Sequence, residues 1–119
     1  MPLEDSSENR KRPLTEKKGG RLMPTYIHLV RFTQKGIESI KEGATRLDTV
    51  KQAYKAMGAE IKAFYLVMGQ YDGVVVVEAP NDETMAKVTL ASGTRGTVRS
   101  ETLRAFTEEE YRKIIAALP

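Results

Sequence analysis

The chain has no cysteine, which removes disulfides, thiolate nucleophiles and cysteine metal sites together. A reducing compartment is compatible with that composition. No stretch approaches the ~18 apolar residues of a membrane span, and Val74 to Val77 is only a strand-length run. The N-terminus lacks an apolar segment of the signal-peptide kind. The expectation is a cytoplasmic protein with no membrane partner. Histidine is also scarce. His28 stands alone, without carboxylates at a defined spacing, so neither a metal nor a tightly held cofactor is expected.

An excess of one charge is missing from most of the chain. Residues 1–22 carry six basic and four acidic side chains, whereas residues 23–119 carry thirteen and twelve. The near-neutral larger part has no electrostatic footprint for a phosphate backbone. Aromatics are absent from Gly73 to Ala79, so the central strand expected there offers no platform for stacking RNA bases. No nucleic-acid partner is expected.

Two segments differ in what they contain. Residues 1–22 hold Pro2, Pro13, Arg10-Lys11-Arg12, Lys17-Lys18 and Gly19-Gly20, with few large apolar residues. Such a segment cannot offset its ordering entropy by burial, so it is expected to be a disordered tail or upstream extension. From 23 to 119 the pattern is regular and long enough for one domain with one core. Thr25 to Phe32 is β-branched and aromatic, a strand by composition, and Gln34-Lys35-Gly36 breaks it. Ile37, Ile40, Ala44, Leu47, Val50, Tyr54 and Met57 then recur at the spacing of one helical face, with Gly58 placed to end the helix.

Ala59 to Met68 reads as a second strand, Gly69 to Gly73 as a turn and Val74 to Ala79 as a third strand. Pro80-Asn81-Asp82 offers a capping side chain for a helix over 83–92 that Gly93 closes. A fourth strand over 96–106 and a Thr107-to-Glu110 capping box before a last helix complete the chain. The order is that of an α+β, ferredoxin-like split β-α-β fold. It has a four-stranded antiparallel sheet, strands one and three at its centre, helices on one face and an extra C-terminal helix.

Val74 to Val77 does not alternate apolar and polar, so both sheet faces want cover while two helices cover one. A homo-oligomer follows, a dimer whose second sheet packs about 10 Å away. The alternative folds the last helix back over the open face through Tyr111, Ile114, Ile115 and Leu118.

Met23 to Ile27, Phe32-Thr33 with Gly36-Ile37, the Gly69-Gln70-Tyr71-Asp72 turn, Glu78-Ala79-Pro80 with Asp82, and Glu101 to Phe106 together resemble the GYD-domain family of small bacterial proteins. The resemblance spans 23–119 in order and spacing and leaves out 1–22. It implies a chain of the dimeric α/β-barrel type and little about activity. The sequence departs at Gly73, where the resemblance implies a larger apolar residue, and looser packing beside the turn is expected there.

Three residues are candidates for chemistry. His28, on the same strand face as Tyr26, Val30 and Phe32, would line a pocket between sheet and partner subunit as a general base, or be a satisfied core residue. Tyr71 and Asp72 would orient a ligand or relay a proton, or else anchor the turn through the ring and the carboxylate. Arg95, Arg99 and Arg104 cluster near the fourth strand. The Gly93-Thr94-Arg95-Gly96 stretch lacks dinucleotide or Walker spacing and reads as a helix exit. Two functions remain open. One is a protein that binds a small organic molecule, with or without cofactor-independent catalysis. The other is a non-catalytic oligomerisation or regulatory module.

Overall fold

A computed structural model describes residues 17–18 and 21–119. The expected disordered extension over 1–22 lies outside the described residues, apart from Lys17–Lys18 and Arg21–Leu22. Those two pairs form a short antiparallel ladder with Lys17 opposite Leu22.

The main sheet has four strands, β1 (Thr25–Phe32), β2 (Glu60–Leu66), β3 (Gly73–Glu78) and β4 (Val98–Ala105). They are antiparallel in the order β2-β3-β1-β4, so the two central strands are the first and third, as right-handed crossovers require. Register places His28 opposite Val75 on one side and Thr102 on the other. One sheet face carries Tyr26, His28, Val30, Val75 and Val77 and is covered by helices; Tyr54, Met85 and Val88 complete its core. The opposite face carries Ile27, Leu29, Val74 and Val76, half-buried, and the exposed Tyr65 and Leu103.

The helical stretch expected to run from Ile37 to Met57 is broken. It forms α1 (Gln34–Glu38), a 3₁₀ turn at Ile40–Glu42 and α2 (Gly43–Ala56). Ser39 makes the break. Its hydroxyl donates to the Lys35 carbonyl at 2.9 Å, and Arg46 donates to its carbonyl and hydroxyl oxygens at 3.1 and 2.7 Å. A serine that bonds backbone in this way competes with helix propagation. The first strand ends at Phe32, as expected, and Gly36 has a second use. It lies inside α1, where an added Cβ would meet the Thr97 carbonyl oxygen at 2.2 Å, so only glycine lets α1 seat against the β4 approach. Gly58, at φ +92°, ends α2 as expected, and the Ala59 N–H donates back to the Tyr54 carbonyl at 2.9 Å.

Asn81 caps α3 (Asp82–Thr94) by accepting the Thr84 N–H at 2.8 Å. The expected stop at Gly93 is wrong by three residues. α3 runs through it, and the left-handed residue is Gly96, at φ +78°. The capping box of α4 (Glu108–Ala116) is present: Thr107 Oγ1 accepts the Glu110 N–H at 3.1 Å, and the Glu110 carboxylate accepts the Thr107 N–H at 2.8 Å. α4 does not fold back over the open sheet face. Its apolar stripe stays in solvent, with Tyr111, Ile114, Ile115 and Leu118 between 45% and 60% exposed. At Gly73 the packing is closed, because the Phe64 ring fills the place a side chain would take and approaches an added Cβ to 3.3 Å. Among the described residues no helix is long and apolar enough to cross a membrane.

Candidate functional site

The covered sheet face and α2 do not close completely on each other. Between them lies a cavity of about 470 Å³. Its floor is His28, Val30 and Phe32 of β1 with Val75 of β3, and Ile61, Phe64 and Leu66 of β2 wall one side. Its roof is the inner face of α2, where Gly43 and Ala44 are too small to fill the space that Leu47, Val50 and Tyr54 fill farther along. Arg46, Ser92, Arg95 and Thr97 also line it, although nearly all of the lining surface is apolar. A mostly apolar cavity with a few polar groups, in the size range of about 300–1,000 Å³, is the ordinary form of a small-molecule site.

His28 is 2% exposed, and its hydrogen bonding fixes its chemistry. Nδ1 lies 2.9 Å from Thr102 Oγ1, which lies 3.2 Å from Thr89 Oγ1, which donates to the Met85 carbonyl at 2.9 Å. A carbonyl only accepts, so the Thr89 hydroxyl spends its proton there and must accept from Thr102. The Thr102 oxygen is then left to accept from His28, which puts the imidazole proton on Nδ1. Nε2 carries a lone pair and has no hydrogen-bond partner among the described residues. Burial lowers the His28 pKa, so the ring is neutral near pH 7 and serves as an acceptor.

Tyr54 is the second buried polar group of the cavity. Its hydroxyl is 3.2 Å from Ser92 Oγ, and burial raises its pKa, so it stays a neutral phenol. At the rim Arg46 faces Glu42 at 3.8 Å, while Arg95 has no ion-pair partner among the described residues.

The other two candidates are elsewhere. Neither Tyr71 nor Asp72 lines the cavity. The Asp72 carboxylate accepts the Phe32 N–H at 2.8 Å, its own N–H donates to the Val30 carbonyl at 2.8 Å, and its carbonyl accepts the Val67 N–H at 2.9 Å. Tyr71 donates its hydroxyl to Glu101 and lies under the Arg31 guanidinium, 4.7 Å from the ring centroid. Gly69, at φ +111°, turns the chain into this arrangement. The Gly-x-Tyr-Asp turn is therefore a latch that ties the β2–β3 hairpin to β1 and β4. His28 lies on the helix-covered face, so the pocket it lines is inside one chain and not on the face a partner's sheet would meet.

Sequence reading passed over Thr102, Thr89, Tyr54 and Arg46 as site residues. The threonines are joined to His28 only by strand register, for which the sequence has no signal. Arg46 had one: it lies three and four residues from Gly43 and Val50, on the inward helical stripe. Arg104 packs instead over Phe106 and Tyr26, 4.4 and 5.6 Å from their ring centroids. Among the described residues no three of the His, Asp and Glu side chains converge as metal ligands would.

The GYD domain family matches residues 26–115. A "Glutamine synthetase and cystathionine beta-lyase binding protein" of Thermus thermophilus is 38% identical over 85 residues, spanning 71% of this chain and 90% of that protein.

Proposed function

This chain belongs to the GYD-domain family, and on that premise we propose that it is a cytoplasmic small-molecule-binding protein whose site is the cleft between its sheet and α2. The working unit is residues 23–119. The observation that carries the reading is the pairing of an apolar cavity of about 470 Å³ with an inward imidazole whose Nε2 lone pair is unshared. Binding is favoured over catalysis because burial disfavours the imidazolium that a general base must become. The test is titration with 1-aminoanthracene, a neutral fluorophore. The wild type is expected to bind it, and Leu47→Trp, which thickens the cavity roof, is expected to weaken binding at least tenfold while the far-ultraviolet spectrum is unchanged. No binding by the wild type would sink the reading.

A second reading, a protein-binding module, is favoured by the Thermus relative, which is named as a binding protein for two enzymes. Its support on this chain is apolar surface at the hairpin and on α4, with Leu66 72% and Met68 96% exposed. In both readings the chain works as a homo-oligomer, most simply a dimer, that covers Ile27, Leu29, Val74 and Val76. Burying ~600 Å² of apolar surface there contributes more than about 10 kcal/mol before association costs.

A further inference from the structure

The cavity has polar groups of two kinds at two places, and their separation describes a ligand. His28 is in the middle of β1, where its Nε2 accepts but cannot donate. The cationic end is at the far end of the same strand. There the Thr33 N–H donates to the Thr97 carbonyl at 3.0 Å and the Thr33 hydroxyl to the Gly96 carbonyl at 2.6 Å, which seats the Arg95–Thr97 turn beside Phe32. Arg95 lines the cavity from this turn, exposed, and Lys35, which is outside the lining, holds the turn by donating to the Arg95 carbonyl at 3.1 Å. Arg46 enters from α2, held by Ser39, its side chain 20% exposed. The carboxylate nearest it, Glu42, is 3.8 Å away with a side chain 78% exposed, a pair that water screens. From His28 to Phe32 is four residues, about 13 Å along the strand. The wall between is Val30, Val75, Phe64 and Val50.

On the reading that this cleft is a ligand site, we propose that its ligand is a carboxylic acid with an extended apolar body and a hydroxyl at the far end. The hydroxyl donates to His28 Nε2, the body fills the apolar span, and the carboxylate meets Arg95 and Arg46 at the mouth. The hydroxyl answers a ring nitrogen that the protein's own hydrogen bonds leave available, the carboxylate answers an Arg95 guanidinium with no partner among the described residues, and Arg46, partly engaged by Ser39, adds charge beside it. A hydroxyl suits His28 because the threonine relay leaves Nε2 as a pure acceptor, and a carboxylate suits guanidinium groups that present paired donors.

Displacement of 1-aminoanthracene from the full chain tests this with three compounds of one chain length: 10-hydroxydecanoate, decanoate and decan-1-ol. The expected order is 10-hydroxydecanoate first, with decanoate and decan-1-ol each about tenfold weaker for the loss of one polar contact. Arg95→Gln, a change at an exposed residue, should weaken 10-hydroxydecanoate about tenfold, reduce its salt dependence and leave decan-1-ol unchanged. His28→Phe should bring decanoate and 10-hydroxydecanoate to equal affinity; should that variant not fold, the same comparison on the wild type carries the result. Equal displacement by all three compounds, or an Arg95→Gln protein that binds the acids as before, overturns the ligand class and leaves the cleft as a binding site. Failure of 1-aminoanthracene to bind the wild type overturns the cleft itself.

Discussion

Gly36 and Gly43 lie seven residues apart in consecutive helices and face opposite surroundings. A methyl at Gly36 meets the Thr97 carbonyl oxygen well inside van der Waals contact, and backbone cannot give way as a side-chain tip would. A methyl at Gly43 meets nothing within 4 Å. Gly36→Ala is therefore expected to lose about 2–3 kcal/mol in urea unfolding, the cost of overpacking. Gly43→Ala is expected to gain about 0.5–1 kcal/mol through helix propensity and a less flexible unfolded chain. Two changes of equal sign and size would contradict the seating of α1. Tyr26 is a second residue with a measurable signature. Burial, then its hydrogen bond to Asp82, raises its pKa from 10.0 to about 12. The folded state holds this proton more tightly than the unfolded chain does. Its contribution is complete below pH 10 and is lost as pH rises through 12, on the order of 2 kcal/mol. Stability measured from pH 9 to 11.5 should fall, and Tyr26→Phe should flatten that fall.

The β2–β3 hairpin shows what a family signature does for an element. Asp72 offers its carboxylate, N–H and carbonyl to three different backbone groups, all on β1 or next to β2. Asp72→Asn keeps an acceptor for the Phe32 N–H and should cost less than about 0.5 kcal/mol, whereas Asp72→Ala should cost about 1–2 kcal/mol. Chemical denaturation of the two variants decides it, and an Asn variant as weak as the Ala variant would show that charge, not acceptance, matters there.

The same hairpin shows how far sequence carries at this scale. The turn chemistry, the four strands and the caps at Asn81 and Thr107 were legible because each rests on local residue types. Ser39 breaking the long helix was not, since its reason is a set of side-chain bonds, to Lys35 and from Arg46, that apolar periodicity does not register. Gly93 looked like a stop, but α3 runs on to Thr94 and Gly96 supplies the left-handed residue. Tyr71 and Asp72 are neighbours in sequence and so seemed a pair, yet the turn sends one towards Glu101 on β4 and the other to the Phe32 N–H. Period-two alternation grouped His28 correctly with Tyr26, Val30 and Phe32. It could not say which face the helices would take, and that choice decides where the cavity lies.

For the whole molecule, the two faces of β3 make the oligomer testable. Val75 is 6% exposed beneath the helices, and Val76 is on the opposite face. Val75→Asp buries an unpaired charge in the core and should prevent folding. Val76→Asp should leave a folded chain and halve the mass seen in light scattering at micromolar concentration. A wild type already monomeric there removes the dimer from both functional readings.

α4 gives the molecule a further property. It has only nine residues, none of them buried, and helices shorter than ~12–15 residues are marginal in water without packing. Its capping box sharpens where the helix starts but does not supply the missing enthalpy of contact. The C-terminus should then flicker between coil and helix in a lone chain and settle only against another surface. Amide hydrogen exchange over 108–116 would in that case slow as protein concentration rises, making this segment a built-in gauge of how much of the protein is assembled.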